Sequence, residues 1–170
     1  MEEREMPRTG KSASTATKRQ TSPLHRILVV EDDGDTRRLN TEVLIELGCH
    51  VDAAEDGAVA WDTLQVQHYD LLVTDNEMPK VTGLELLKKL HAARKTLPVI
   101  MATGKLPKEE FTRHPMLQPD AILIKPYTIE EFLGTVKGVL RGIEQTREQI
   151  ATMPILHNQP PADGFQQSMV

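Results

Sequence analysis

The stretch that decides the fold is LLVTDNEMPKVTG, residues 71–83. Its first four residues form a short run of apolar and β-branched side chains, which is typical of a strand buried on both faces of a sheet. Asp75 follows this run directly, and Pro79 and Gly83 come soon after it. Proline and glycine favour turns, since proline fixes φ and glycine permits conformations that other residues avoid. The stretch therefore predicts a buried strand that carries a carboxylate to its carboxyl end and then turns away.

Runs of the same kind recur along the chain and alternate with helical patterns. The predicted strands are RILVV (26–30), HVDAA (50–54), LLVT (71–74), PVIMAT (98–103) and AILI (121–124). The predicted helices, in which apolar residues recur at helical spacing, cover residues 36–48, 56–65, 82–94 and 128–143. This alternation predicts an α/β fold, a five-stranded doubly wound parallel sheet with helices on both faces. A fourth helix should be irregular, with one or two turns from Lys108 before Pro115 ends it.

Composition and charge argue against several classes of protein. The chain has 170 residues, of which 39% are hydrophobic, and this suits one compact domain. Its formal net charge of −5 argues against a general nucleic-acid binder, and its single cysteine, Cys49, excludes an internal disulfide. No apolar run approaches the roughly 20 residues that span a bilayer, and the first residues do not resemble a secretory signal. These features predict a soluble cytoplasmic protein.

The polar composition of both ends predicts that the ordered domain covers residues 26–145. Residues 1–25 are mostly small, polar or charged and cannot bury enough surface to become ordered. The helical pattern fades beyond Gln145, so residues 146–170 are interpreted as a flexible tail. We therefore expect a disordered amino-terminal arm, one domain and a flexible carboxyl-terminal tail.

Charged and hydroxyl side chains follow most of the predicted strands. Glu31 and Asp32 follow the first strand, Asp75 follows the third, Thr103 closes the fourth and Lys125 follows the fifth. These side chains should converge, because ligands of an open parallel sheet bind at the carboxyl ends of its strands. Crowded carboxylates repel one another unless a hard cation such as Mg²⁺ joins them. An ammonium and a hydroxyl beside them would neutralise a phosphoryl group, and an aspartate can itself be the nucleophile.

Other polar residues are interpreted as structural. Asp33, Asp35 and Asp56 stand where turns and helix N-caps are expected. The histidines are scattered along the chain without the spacing of metal ligands, so they receive no role.

Four motifs, in a fixed order, carry a family resemblance. They are ILVVEDDGDTRRL, LLVTDNEMPKVTGLELL, PVIMATG and AILIKPY. Together they resemble the receiver domain of two-component response regulators, of the stand-alone chemotaxis-receiver type, over residues 25–145. The resemblance implies a flavodoxin-like fold with strand order 2-1-3-4-5. It also implies a phosphorylation-dependent signalling switch of a phosphorelay rather than a turnover enzyme.

The resemblance implies a phosphoacceptor and a Mg²⁺ site. Asp75 matches the aspartate that accepts the phosphoryl group. Glu31 and Asp32 match the acidic pair, with Asp32 as a direct Mg²⁺ ligand and Glu31 acting through water. Glu77 matches the residue whose backbone carbonyl binds the metal.

Three further residues match positions that respond to phosphorylation or shape the site. Thr103 matches the switch hydroxyl that moves onto the phosphoryl group, and Lys125 matches the lysine that pairs with that group. Pro126 resembles the cis-proline of the family, which would aim Lys125 inward.

The resemblance also implies protein partners. A sensor histidine kinase or a histidine phosphotransfer protein would donate the phosphoryl group, and an unidentified protein would receive the signal. Residues 146–170 are too short and irregular for a DNA-binding module. We therefore expect a stand-alone receiver with neither direct DNA binding nor membrane insertion. A phosphate sink or a relay intermediate is the alternative role.

Two features depart from the family or are specific to this chain. Ile122 stands three residues before Lys125, where many receivers carry an aromatic that moves with the threonine. We therefore expect activation to reshape residues 104–120 instead. Glu77 and Lys105 lie two residues after the phosphoacceptor and the threonine, respectively, and should flank the mouth of the site. An ion pair between their side chains is expected there.

Two rival interpretations are kept. The sequence DGDT (33–36) is similar to the D-x-D-x-T signature of haloacid-dehalogenase-like phosphatases, which also use an aspartate nucleophile and Mg²⁺, although its threonine stands one residue earlier than in that signature. Glu31 and Asp32 intervene between the strand and this signature, unlike in that class. The other rival is a degenerate receiver that uses only its surface. Turnover of a generic phosphate ester would favour the first, and failure to bind beryllofluoride would favour the second.

Overall fold

A five-stranded parallel sheet organises residues 25–152, the part of the chain that the computed structural model describes. The strands are β1 (Arg26–Val30), β2 (His50–Ala54), β3 (Leu71–Asp75), β4 (Val99–Thr103) and β5 (Ala121–Ile124). The helices are α1 (Gly34–Glu46), α2 (Gly57–Val66), α3 (Gly83–Ala92), α4 (Lys108–Arg113) and α5 (Ile129–Thr152). Neighbouring strands pair in parallel in the order β2-β1-β3-β4-β5. The predicted α/β fold, doubly wound sheet and flavodoxin-like strand order are confirmed.

Both faces of the sheet are covered, which explains why its central strands read as unbroken apolar runs. Along β1, Ile27 and Val29 enter one buried cluster, together with residues of α1 and α5. Leu28 and Val30 enter the other cluster, together with residues of α2, α3 and α4. Successive side chains of a strand point to opposite faces, so a strand covered on both sides is apolar along most of its length.

The segment after β4 is irregular, as the sequence predicts. Helix α4 spans Lys108–Arg113, and a separate 3₁₀ turn covers Pro115–Leu117. Proline cannot continue an α-helix because it lacks the N–H and its ring clashes with the preceding turn. Phe111 and Leu117 are nevertheless buried, so both short pieces are anchored to the core.

Helix α5 is longer than the sequence predicts. The predicted helix ends at residue 143, whereas α5 continues to Thr152, so the predicted start of the flexible tail lies inside it. The guanidinium of Arg147 donates to Asp70 Oδ1 at 2.6 Å. His25, which the sequence assigns to the arm, is buried, and its Nε2 lies 3.0 Å from Glu144 Oε1. These contacts fix the last turns of the helix against the loop before β3 and the residue before β1.

Residues 1–24 and 153–170, which hold most of the predicted arm and tail, lie outside the described residues. Between residues 25 and 152, no helix combines the length and the apolar character that crossing a membrane requires.

Two of the three aspartates that the sequence assigns to turns and caps are N-caps. Asp33 caps α1 by accepting from the backbone N–H of Thr36 at 2.8 Å. Asp56 caps α2 and accepts from the N–H groups of Ala58 and Val59. Asp35 lies in the first turn of α1, where a negative charge complements the helix dipole.

Gly83 lets α3 begin directly against the end of β3. A Cβ at this position would lie 2.4 Å from the backbone carbonyl oxygen of Asp75. Gly83→Ala should therefore lower the free energy of unfolding by about 1–3 kcal/mol through overpacking. The matched control is Gly138→Ala in α5, where an added Cβ meets no atom within 4 Å. It should raise stability by about 1 kcal/mol. Urea denaturation measures both, and equal effects would contradict this role of Gly83.

Tyr69 belongs to a polar cluster at the opposite end of the sheet from Asp75. Its hydroxyl donates to Asp52 Oδ2 at 2.7 Å, and the Arg26 guanidinium lies 5.2 Å from its ring centroid. Burial and the hydrogen bond to Asp52 raise the pKa of Tyr69 to about 12. Because its pKa is higher in the folded than in the unfolded state, protonated Tyr69 stabilises the folded state. This contribution to the free energy of unfolding is complete below about pH 10, the ordinary tyrosine value, and is lost as pH rises towards 12.

Ultraviolet titration of the phenolate tests the state of Tyr69. The difference between the wild-type and Tyr69→Phe curves isolates this one phenol. We expect its midpoint near pH 12, and a midpoint near 10 would contradict the half-buried contact with Asp52.

Candidate functional site

Three carboxylates meet beyond the carboxyl ends of β1 and β3. Glu31 and Asp32 follow β1, Asp75 ends β3, and one oxygen from each lies within 4.8 Å of the others. The two strands are neighbours in the sheet, which brings their ends together. Glu31 and Asp75 are buried, whereas Asp32 is exposed. The predicted convergence of these carboxylates is confirmed.

The ammonium of Lys125 binds two of the three carboxylates. Its Nζ donates to Asp75 Oδ2 at 2.8 Å and to Glu31 Oε2 at 2.9 Å. The peptide bond between Lys125 and Pro126 is cis, as the resemblance implied. The loop after β5 thus delivers the lysine to the end of β3, although β4 lies between the two strands.

Burial and charge shift the acidity of this cluster. Burial raises the pKa of Glu31, and the nearby charge of Asp75 adds to the rise, while the hydrogen bond from Lys125 opposes it. Burial alone would lower the pKa of Lys125, but its hydrogen bonds to Asp75 and Glu31 outweigh this, so that pKa is raised. Lys125 therefore stays charged and holds together two carboxylates that would otherwise repel each other.

The donor set fits a Mg²⁺ ion. Every side-chain ligand in the cluster is a carboxylate oxygen, the donor type that Mg²⁺ prefers. One ammonium neutralises only part of the charge of three carboxylates, so a cation would relieve the remaining repulsion.

Thr103 lies at the end of β4, where its hydroxyl contacts the loop before α4 and the side chain of Glu77. Its Oγ1 lies 2.9 Å from Glu77 Oε1 and 2.8 Å from the backbone carbonyl oxygen of Lys105. Glu77 Oε2 also accepts from the N–H of Gly104 at 2.9 Å, and Glu77 Oε1 accepts from the N–H of Lys105 at 3.3 Å. The N–H of Glu77 donates to Asp75 Oδ1 at 3.1 Å. Glu77 therefore connects the end of β3 with the loop after β4.

The predicted ion pair between the side chains of Glu77 and Lys105 is wrong. The Glu77 carboxylate contacts the backbone N–H of Lys105 rather than its ammonium. The loop after β4 presents the amides of Gly104 and Lys105 to the Glu77 carboxylate, while the side chain of Lys105 is exposed to solvent.

Sequence reasoning missed two contributors to the site. Arg37, in α1, donates from Nη1 to the backbone carbonyl oxygens of Glu31 at 2.6 Å and Asp32 at 3.2 Å. Asn40, one turn further along α1, is buried and donates to the hydroxyl of Tyr127 at 3.1 Å. The position of Arg37, one turn after the N-cap of α1, could have indicated its contact with Glu31 and Asp32 from the sequence. The second links positions 87 residues apart, so no local pattern could predict it.

A family model described as the response regulator receiver domain matches residues 27–137. The chain belongs to the response regulator receiver family. Receiver domains are signalling modules rather than turnover enzymes, and phosphorylation and Mg²⁺ binding at an acidic pocket are general in the family. The acidic cluster of this receiver lies where that pocket is expected.

Curated relatives of the receiver are longer proteins. The response regulator RppA of Synechocystis sp. is 35% identical over 130 residues, which cover 75% of this chain and 56% of RppA. The transcriptional regulatory protein CusR of Escherichia coli is 31% identical over 116 residues, which cover 68% of this chain and 51% of CusR. The chain thus spans about half the length of the curated relatives it matches, and the stand-alone receiver stays a prediction.

Solved receiver structures share the fold. A CheY-like receiver domain protein from Methanospirillum hungatei has a TM-score of 0.67 at 28% identity, covering 72% of this chain and 98% of that one. The response regulator TrrA of Thermotoga maritima, solved in complex with Mg²⁺ and BeF, has a TM-score of 0.59 at 30% identity. That match covers 68% of this chain and 99% of TrrA.

Proposed function

We propose that this receiver is a phosphorylation switch in which Asp75 accepts a phosphoryl group from a phosphohistidine. The donor would be a sensor histidine kinase or a histidine phosphotransfer protein, and the output would be contact with another protein. The observation that supports this most strongly is the placement of Asp75. It is a buried carboxylate bound to Lys125 and adjacent to two further carboxylates at the edge of the sheet.

The contacts of Asp75 suit it to act as a nucleophile. The N–H of Glu77 binds Oδ1 and the ammonium of Lys125 binds Oδ2, so the carboxylate is oriented before the donor arrives. One carboxylate oxygen attacks phosphorus, and a P–O bond forms while the P–N bond to the imidazole breaks. The imidazole nitrogen keeps the electron pair of that bond. The product is an acyl phosphate on Asp75.

Four residues would hold the metal in this proposal. They are Asp32 and Asp75 through their carboxylates, Glu31 through water, and Glu77 through its backbone carbonyl. When bound, Mg²⁺ supplies neutralisation of the charge that accumulates on the transferring phosphoryl oxygens. Arg37 stabilises the position of the acidic pair by binding the carbonyl oxygens of both residues.

Two side chains would bind the phosphoryl group once it is on Asp75. Lys125 already contacts Asp75, so its ammonium can pair with a phosphoryl oxygen after a small movement. The Thr103 hydroxyl lies at the end of β4, the strand next to β3, and can donate to a second oxygen after leaving its contacts with Glu77 and Lys105.

Phosphoramidate, a small donor with a P–N bond, tests this proposal. Incubation of the chain with phosphoramidate and Mg²⁺ should add one phosphoryl group, detected as a mass increase of the intact chain. The added group should be lost in alkali, as acyl phosphates are, and EDTA should prevent its addition. An unchanged mass with Mg²⁺ present, or an adduct stable in alkali, would contradict the proposal. Sustained hydrolysis of a generic phosphate ester would instead support the phosphatase interpretation.

A further inference from the structure

The Glu77 carboxylate lies in a site built for an anion. It accepts from the N–H groups of Gly104 and Lys105, and it lies 2.9 Å from the hydroxyl of Thr103. Successive backbone N–H groups that converge on one point form a concavity that binds anions. We call this set, the Thr103 hydroxyl with the Gly104 and Lys105 amides, the loop nest.

The loop nest contains one donor that the proposed switch needs for a different anion. Thr103 is the hydroxyl proposed to bind a phosphoryl oxygen, and the Gly104 amide follows it directly in the chain. A hydroxyl donates only one hydrogen. In the resting site that hydrogen is shared between Glu77 Oε1 at 2.9 Å and the Lys105 carbonyl oxygen at 2.8 Å, and it must leave both to reach a phosphoryl group. A hydrogen bond to a charged acceptor is stronger than one between neutral groups, so the contact with Glu77 has a cost when it breaks.

We propose that Glu77 is an autoinhibitory anion that occupies the loop nest until a phosphoryl group on Asp75 competes for Thr103. This inference rests on the proposed function, because it assigns Thr103 to the phosphoryl group. The Glu77 side chain holds the loop after β4 in its resting arrangement, and phosphorylation must displace it. Glu77 thereby sets part of the free-energy difference between the resting and the phosphorylated arrangements of this loop.

The backbone of Glu77 connects the proposed competition for Thr103 with the phosphoacceptor, Asp75. Its N–H donates to Asp75 Oδ1, so the residue that occupies the loop nest also contacts the nucleophile. Conversion of Asp75 to an acyl phosphate changes the acceptor for that N–H, while the phosphoryl oxygens compete for Thr103. Both changes act on the same residue and favour its release from the loop.

Binding of beryllofluoride with Mg²⁺ to Glu77→Gln tests the proposal. Glutamine has nearly the same shape as glutamate but is neutral and offers one acceptor oxygen, so it binds the loop nest less well. We expect the variant to bind beryllofluoride about 3–10-fold more tightly than wild type, which corresponds to replacing a charged acceptor with a neutral one in contacts that must be broken. The matched control is Glu109→Gln, at an exposed acid of α4 whose carboxylate contacts Arg113. It removes the same charge without touching the nest and should leave the affinity unchanged.

A second measurement does not depend on the metal or on the mimic. Amide hydrogen exchange of Gly104 and Lys105 in the free protein should be faster in Glu77→Gln than in wild type or Glu109→Gln. A third measurement again uses beryllofluoride with Mg²⁺: in a Thr103→Val background, the gain in affinity from Glu77→Gln should shrink, because one shared donor is gone.

Three outcomes would overturn the inference. Affinity in Glu77→Gln that is unchanged or weaker would show that Glu77 does not compete with the phosphoryl group. An equal gain in Glu109→Gln would assign the effect to net charge rather than to the loop nest. Failure of wild type to bind beryllofluoride at all would overturn the proposed function and this inference with it, whereas the other two outcomes leave the proposed function intact.

Discussion

Replacing Asp75 with asparagine is expected to abolish phosphorylation while leaving the chain folded. The amide keeps an oxygen that can accept from the N–H of Glu77, so the local structure is retained. The amide oxygen is not a competent nucleophile for phosphoryl transfer, so no acyl phosphate can form at this position. Intact-mass measurement after incubation with phosphoramidate and Mg²⁺ should show no added phosphoryl group. Circular dichroism should show a native helical content.

Asp33→Asn is the matched control for that result. Asp33 is the first aspartate of the DGDT sequence that is similar to the phosphatase signature, so it would be the nucleophile in the phosphatase interpretation. In the structure it caps α1, and asparagine is an equally good N-cap. The variant should therefore accept a phosphoryl group as wild type does. Loss of phosphorylation in Asp33→Asn together with its retention in Asp75→Asn would reverse our assignment.

Removing the ammonium of Lys125 should have the largest effect on stability in the absence of metal. Glu31 and Asp75 are each exposed by less than 5%, and Lys125 contacts both. Without the lysine, two buried carboxylates face each other uncompensated. Removal of one partner from a buried ionic group costs about 3–5 kcal/mol, and the partial exposure of Lys125 reduces the expected loss to about 2–4 kcal/mol for Lys125→Met.

Urea denaturation in EDTA measures this loss, and Mg²⁺ should restore part of it, since a cation that binds only the folded chain stabilises it. The matched control is Lys88→Met, which removes an exposed ion pair with Glu110 and should cost at most about 1 kcal/mol. If Lys125→Met were as stable as wild type in EDTA, the proposed role of Lys125 in holding the carboxylates together would be wrong.

The sequence predicted the sheet and the convergence of the site because both follow from short-range rules. Parallel strands buried on two faces read as apolar runs, which identified β1, β3 and β4 from their residues alone. The carboxyl ends of such strands share one edge, so Glu31, Asp75 and Lys125 were predicted to meet before any contact was known. Hydrogen bonds of 2.8 and 2.9 Å from Lys125 confirm that they do.

The sequence failed where a contact depends on the path of a loop or on distant residues. The side chain of Glu77 turned to backbone donors rather than to the ammonium of Lys105, because the loop after β4 presents its amides there. The last turns of α5 have a weak apolar pattern, and they are held by contacts of Glu144 and Arg147 with residues more than 70 positions earlier. Periodicity reports neither kind of contact.

The central claim is that Asp75 carries the phosphoryl group, and chemical trapping of the acyl phosphate tests it most directly. Borohydride reduces an aspartyl phosphate to homoserine, which peptide mass spectrometry locates in the sequence. After phosphorylation by phosphoramidate with Mg²⁺, we predict homoserine at residue 75 alone, and none when EDTA replaces Mg²⁺. Trapping at Asp32, Asp33 or any other carboxylate, or no trapped residue in a chain that has gained a phosphoryl group, would contradict the account.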